Sequence, residues 1–448
     1  MRADLLIAAA AAATVAVFLV CAARGVRAGV WIAILVASTI VPLLLTHGTD
    51  IYHVGIADAV PGVRTYTVLL VALTAIGLVA LRHAPMPLAL VAFVCVLAVL
   101  YLAVWPRSSF IEAGVLQLLI GICGWYVGSA WGGGSPLRER EASAIATTVL
   151  GIVVAQIIFA AVQLSGHRPS ILTPVDAALL GNRVNGTANH PDTLGKLLFM
   201  VMLVGLWLIG SGYRSVSRKA AWAVGLAYIP LLLSQGRANI VAAIVLTVFW
   251  GYLLPRDTLP RARTAALFGG WIVGMMSLGV LASRFDEDPT GGVRGQLLTN
   301  AYGQLHRTFW LGTGPNNYTN VVGPLTGSWI PVHNSFLLLV AEVGAIGAAA
   351  FFVGLVVIWA RAWGRRRATT PQGAAARVLI ASIPGVVLIG MTGWGLFGTS
   401  VLALWMFVYG ALYSTLRWNG SVGLVGSSLE LETARRAPSL ELRSVKRT

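Results

Sequence analysis

Lysine is nearly missing from this 448-residue chain, since Lys196, Lys219 and Lys446 are all it has among 32 basic residues. Charge of either sign is scarce as well, at 11%, where a soluble domain carries roughly 25%. That shortage excludes an ordinary water-soluble fold. Of the 3 cysteines, Cys21, Cys95 and Cys123 all fall within apolar stretches and show no CxxC spacing. They form neither a disulfide framework nor a zinc knuckle and read as small buried hydrophobes. No HExxH or HxH pair is present, so no catalytic metal is expected, and no GxxxxGK[ST] motif points to direct use of ATP. No internal repeat of the kind built into many transporters is visible.

What the chain does have is apolar residues, 57% of the total, with a mean hydropathy of +0.79. This composition predicts an all-α polytopic membrane protein. A span needs about 20 mostly apolar residues, and such runs occur at Leu5 to Ala23, Ala28 to Thr46, Thr65 to Leu81, Leu88 to Trp105, Phe110 to Trp131, Ala142 to Ser165, Leu194 to Ser211, Ala220 to Ser234, Ala238 to Leu254, Thr264 to Ser283, Asn334 to Ala360, Val378 to Gly393 and Val401 to Leu416. The expectation is therefore about 12–13 transmembrane helices. The first run could be a cleaved signal peptide, but it exceeds the usual 7–15 residues of such segments and reads as a retained helix.

The formal charge of +16 and the pI near 10.6 would suggest nucleic acid in a soluble protein. Here the basic residues sit mostly in alternate short loops, where the positive-inside bias explains them with no nucleic-acid partner. Arg24, Arg27, Arg82, Arg138, Arg140, Arg214, Arg218, Lys219, Arg256, Arg261, Arg263, Arg361 to Arg377 and the tail define the cytoplasmic side. Two long loops, 166–193 and 284–333, then face outward. Their length and the presence of Tyr302, Trp310, Tyr318 and Trp329 mark them as ordered, functional elements of a transmembrane domain covering residues 1–418. Residues 419–448 read as a flexible cytoplasmic tail. The bias to Arg in a chain rich in Ala, Gly and Val fits a GC-rich genome, such as that of an actinobacterium.

Six of the 7 histidines map to the outer side: His47, His53, His167, His190, His306 and His333. Outward-facing arginines also stand out, because the positive-inside bias depletes them there. Arg183, Arg237, Arg294 and Arg307 all lie near span ends. Arg237 follows Ser234-Gln235-Gly236 with almost no loop, so its guanidinium is held near hydrocarbon and needs an anion or a cavity. Arg294 opens a short amphipathic stretch, where a helix N-terminus adds to its attraction for anions. Two such forks suit a phosphate or diphosphate, although either could instead snorkel to lipid headgroups. His333, where the second loop re-enters the membrane, could serve as a general base with a pKa near 6.5 or could cap the next helix. Glu342 lies inside the following span, as a functional carboxylate or a structural partner.

Three segments together resemble a known pattern. Arg183-Val184-Asn185-Gly186-Thr187-Ala188-Asn189-His190-Pro191 resembles the "R..GTf.hPN" segment of the O-antigen ligase and O-antigen polymerase superfamily, and Ser234-Gln235-Gly236-Arg237 resembles its "S.SR" segment. Gly312-Thr313-Gly314-Pro315-Asn316-Asn317-Tyr318, then His333-Asn334-Ser335-Phe336 and Glu342 to Gly347, is similar to its "G.G...f... HNs.l....E.G..G" segment. Order and spacing agree over about Arg183 to Phe352. Asp192 stands where the family often has Asn, and Gln235 where it often has Ser or an Arg neighbour.

The resemblance implies a GT-C-type, metal-independent membrane glycosyltransferase without a cofactor. Its donor would be a polyprenyl diphosphate-linked glycan on the outer leaflet of the inner (plasma) membrane, and its acceptor a hydroxyl of a cell-envelope glycan or glycolipid. Polymerisation of lipid-linked repeats is an alternative within the family, and polyprenyl-lipid or anion transport is a rival from another class. Carried over by motif, Arg183, Arg237 and Arg294 would grip the diphosphate and His333 would be the base. Asn189, His190, Asn317, Asn334 and Glu342 would position the acceptor or the loops.

Overall fold

The computed structural model describes residues 26–40, 86–132, 136–166, 183–188, 190–256, 259–287 and 293–418. The expected spans at Leu5 to Ala23 and Thr65 to Leu81, most of the 166–193 loop with Asn189, and the 419–448 tail lie outside the described residues. Among those described there is no strand, and the chain is a polytopic all-α membrane protein.

The helices in order are α1 (Val26–Thr39), α2 (Leu88–Ala103), α3 (Ser109–Val127, continued by the π-helical turn Gly128–Gly132), α4 (Glu139–Leu164), α5 (Pro191–Ile209), α6 (Arg214–Leu233), α7 (Arg237–Leu253), α8 (Pro260–Glu287), α9 (Arg294–Thr308), α10 (Tyr318–Thr326), α11 (Ser335–Arg365), α12 (Pro371–Thr392) and α13 (Thr399–Arg417). Seven of them are long and apolar enough to cross a membrane.

Their boundaries follow local chemistry. Ser108 caps α3 by accepting from the Ile111 N–H at 3.3 Å, and Asn334 caps α11 by accepting from Leu337 N–H at 3.0 Å. Proline, whose missing N–H costs nothing in a first turn, opens α5 and α12.

Two helices run through the interior of the bundle. α5 and α13 are buried along nearly their whole length. α8 is the opposite case: Phe268, Trp271, Met275 and Met276 on it are exposed, which in a bilayer is contact with lipid. α13 approaches α3 through glycine. A methyl group on Gly128 would stand 2.0 Å from the Phe407 carbonyl oxygen, and one on Gly410 2.4 Å from that of Trp125. Small residues permit such close backbone approach between membrane helices. Aromatic side chains fill the remaining space, with Trp31 stacked on Trp207 at 5.4 Å and edge-on to Phe407 at 4.7 Å.

Span alternation carries the starts of α5, α7, α11 and α13 and the ends of α4, α6 and α12 to one face. The contacts agree: Val184 N–H reaches the Leu233 carbonyl at 3.3 Å and Ser335 N–H that of Gly393 at 3.0 Å. The candidate residues lie on this face.

Candidate functional site

The segment before α5 is held in place by two glutamines of α4. Gln163 accepts from the N–H groups of Asn185 and Gly186, both at 3.0 Å, and donates to the Gly186 carbonyl at 2.8 Å. Gln156 accepts from Thr187 N–H at 3.0 Å and donates to its hydroxyl at 2.6 Å. Gly186 has φ +56, and its Cα lies so close to Gln156 that a methyl group there would stand 2.2 Å from the amide oxygen. Seven residues apart, the two glutamines share one face of α4 two turns apart. That spacing was visible in the sequence but was not among the residues singled out there.

This anchored segment ends in Arg183, whose side chain spans two elements. Its Nε donates to the Ser234 carbonyl at 3.0 Å and its Nη2 to Asp192 Oδ1 at 2.9 Å. Arg183 therefore ties the α6–α7 turn to the start of α5, and its charge is already met by a carboxylate. Asn239 on α7 closes the same junction by donating to the Asp192 carbonyl oxygen at 3.2 Å. His190 caps α5, its Nδ1 accepting from Asp192 N–H at 3.1 Å. The same Nδ1 lies 3.7 Å from Asp192 Oδ2. Arg237 is the first residue of α7 after a turn with Gln235 at φ 55. It is half-buried.

The 284–333 loop contributes α9 and α10 and is fastened to α11 by Glu342. This carboxylate is fully buried and accepts from Asn316 N–H at 2.8 Å and Tyr318 N–H at 3.2 Å. Asn316 adopts φ 60. Asn317 donates to the Thr313 carbonyl at 2.9 Å and accepts from Asn320 at 3.3 Å. The α11 backbone joins in: Thr313 N–H reaches the Ala341 carbonyl at 3.0 Å, Gly314 N–H that of Glu342 at 2.9 Å, and Ala345 N–H that of Phe309 at 2.7 Å. A break in α11 at Gly344, with φ 74, makes room for the last contact. A methyl group there would lie 2.3 Å from the Trp310 carbonyl oxygen.

His333 immediately precedes the Asn334 cap, so the capping is done by Asn334 and the imidazole is left for other work. Its Nδ1 is buried and makes no well-formed hydrogen bond. Burial pushes the His333 pKa down to about 4, with the Arg294 guanidinium next and Lys196 adding to it. Asp192 and the Pro331 backbone pull the other way. The ordinary value of about 6.5 expected for this histidine is thus well above what its surroundings allow. The same interactions show that Arg294, Asp192 and Lys196, from α9 and α5, all lie within electrostatic reach of His333.

Arg294 is exposed as the first residue of α9, an amphipathic helix whose Leu297 and Ala301 are buried. The structure thus connects Arg183, His190 and Asp192 with the Arg237 turn, and places Asp192, Lys196 and Arg294 each within electrostatic reach of His333. Asn317, Asn334 and Glu342 serve backbone groups. Lys196 joins the cluster as well. Its position inside a span was the signal. Among the described residues, no three His, Cys, Asp or Glu side chains come together as a metal-binding group.

Residues 220–352, which include Arg237, Arg294, His333 and Glu342, match the family described as O-antigen ligase. No curated protein matches the chain.

Proposed function

We propose that this chain, whose residues 220–352 match the O-antigen ligase family, carries out membrane glycan transfer, with a polyprenyl diphosphate-linked glycan as the donor and a hydroxyl of a cell-envelope glycan or glycolipid as the acceptor. Transfer takes place on the external face of the plasma membrane and uses no metal. The observation that carries this reading is the cluster at the start of α5: a half-buried histidine with little affinity for a proton, in electrostatic reach of Arg294 and Lys196, joined through Asp192 and Arg183 to the turn that presents Arg237. A cluster so rich in guanidinium groups suits a dianionic group more than a neutral sugar.

The chemistry follows from the charges. The acceptor oxygen forms a bond to the anomeric carbon as the bond from that carbon to the donor phosphate breaks. The electron pair of the broken bond leaves with the polyprenyl diphosphate, and the acceptor proton goes to His333. Negative charge grows on the leaving diphosphate, where guanidinium groups held in place stabilise it. Arg237 and Arg294 take that role. A neutral His333 can accept the proton, and the dianionic donor beside it raises its proton affinity at the moment this is needed. Arg183, bound to Asp192 and Ser234, positions the turn.

The test is reconstitution in vesicles with a defined polyprenyl diphosphate oligosaccharide and a panel of envelope acceptors. Transfer to a glycan or glycolipid hydroxyl with release of polyprenyl diphosphate is expected. Movement of the intact lipid-linked donor across the vesicle membrane, with no new glycosidic bond, would replace the enzyme reading with a transporter.

A further inference from the structure

Helix α9 carries more apolar surface than its packing on the bundle uses. Leu297, Ala301 and Gln304 form its buried face. Leu298 and Tyr302 are nevertheless exposed, and the half-buried Leu305 and exposed Phe309 continue the line. Spaced three or four residues apart, these four share one side of the helix. Gly303 and Arg307 are exposed as well and lie away from that stripe. The outward surface of α9 is therefore divided into an apolar shoulder and a polar side. From Arg294 to Thr308 the helix is basic, with no acidic residue. A basic polar side beside Leu, Phe and Tyr is the composition of a helix that lies in a membrane interface, where tyrosine and tryptophan also concentrate.

The stripe runs into surface that faces lipid. The Phe309 carbonyl accepts from Ala345 N–H at 2.7 Å, next to the exposed Ile346 of α11. That helix is long and apolar enough to cross a membrane, and its Val353 and Val356 are exposed further along. The Leu311 carbonyl accepts from Trp105 Nε1 at 2.8 Å, just past the end of α2, where Val99 and Leu102 are exposed. α2 and α11 pack on each other, with Phe93 edge-on to Phe351 at 5.4 Å. Phe309, Trp310 and Leu311, all exposed, are thus pinned to two adjoining apolar helices. A contiguous apolar patch of this kind marks an interaction surface, and here it is continuous with surface that meets acyl chains.

We propose that α9 is an interfacial helix whose Leu298 to Phe309 stripe is immersed in the surface of the bilayer, with the side that carries Gly303 and Arg307 in water. The partner is the lipid surface itself, and the basic charge of α9 complements anionic headgroups. Because α9 opens with Arg294, the same contact ties the level of that arginine to the membrane surface. This holds whether or not Arg294 binds a diphosphate.

The probe is a nitroxide attached to single cysteines in otherwise cysteine-free, full-length protein, in nanodiscs of phosphatidylcholine and phosphatidylglycerol. Oxygen concentrates among acyl chains and a neutral nickel chelate in water, so the ratio of their collision rates with the nitroxide reads immersion. Tyr302→Cys and Gly303→Cys sit at one level of α9 on different sides, and a methyl group at Gly303 would meet nothing within 4 Å. The oxygen-to-nickel ratio should be several-fold higher at Leu298→Cys and Tyr302→Cys than at Gly303→Cys and Arg307→Cys. Leu298→Cys gives the same reading should Tyr302→Cys fail to fold. Equal ratios on the two sides, with the nickel chelate reaching all four labels, would put the stripe in water and overturn the proposal. Poor access of both reagents to Leu298→Cys and Tyr302→Cys would also overturn it, since protein, such as a second copy of the chain, would then cover the stripe.

Discussion

The Glu342 carboxylate accepts the backbone N–H of Asn316 at 2.8 Å, across the junction between a membrane helix and the loop that precedes it. Its other oxygen takes Tyr318 N–H at 3.2 Å, so one buried acid sets the course of the Gly312 to Tyr318 segment. Glu342→Gln turns one of these acceptors into a donor that faces an N–H. A loss of about 1.5–3 kcal/mol of local stability is expected, read as faster proteolysis or hydrogen exchange within 312–318 and lower transfer activity. Unchanged exchange in that segment would show that the α11 backbone contacts alone hold it.

Much of the fold was legible because a bilayer demands long apolar runs, and the runs beginning at Leu88, Phe110 and Ala142 coincide with α2, α3 and α4 within a few residues. The amphipathic stretch after Arg294 is α9. What pattern could not supply was partnership. Arg183 looked like its fellow outer arginines, yet it is bound to Asp192 and Ser234, a relation between segments some 50 residues apart. Lys196 was hidden for the converse reason: a single lysine barely changes the hydropathy of a span, and its importance comes from the Trp394 turn and His333, far away in sequence. The lowered pKa of His333 likewise depends on its burial and on neighbours from α9 and α5.

Side assignment can be checked directly. In a cysteine-free background, Leu325→Cys on exposed α10 should react with a membrane-impermeant maleimide in intact cells, and Arg261→Cys at the start of α8 should react only after permeabilisation. The reverse pattern would move the cluster to the cytoplasmic face and remove the external donor.

Arg237→Ala and Arg294→Ala are each expected to abolish transfer in protein that still inserts and folds. Lysine at either position should restore little, since an ammonium cannot reproduce a bidentate fork. Arg183→Ala should behave differently. It frees Asp192 and the Ser234 carbonyl, so loss of thermal stability should accompany loss of activity. Nearly full activity in both Lys variants would mean that a diffuse positive field is enough.

The proton affinity of His333 gives the sharpest test, because it links burial, neighbouring charge and chemistry. With its pKa at about 4, His333 is neutral at pH 7 and loses its competence as a base only on acidification. The acid limb of kcat/KM, which reports the unliganded enzyme, should therefore lie near 4, well below the 6.5 of an ordinary histidine. The limb of kcat reports the donor complex and should lie higher, since a bound diphosphate favours the protonated imidazole. The sign for stability is the same: the folded state holds this proton less tightly than the unfolded chain, so its contribution is lost as pH falls from about 6.5 towards 4. Histidine NMR of the purified protein reads the titration without needing turnover. Arg294→Ala should raise the midpoint, because a like charge is removed, and Lys196→Met should raise it by less. A midpoint that does not move in Arg294→Ala would separate the arginine from the histidine, and a wild-type midpoint near 6.5 would mean that water reaches the imidazole freely. His333→Ala should lower turnover by roughly 10²–10⁴-fold with donor affinity retained; if affinity falls in the same proportion, His333 anchors the loop and the base must be sought elsewhere.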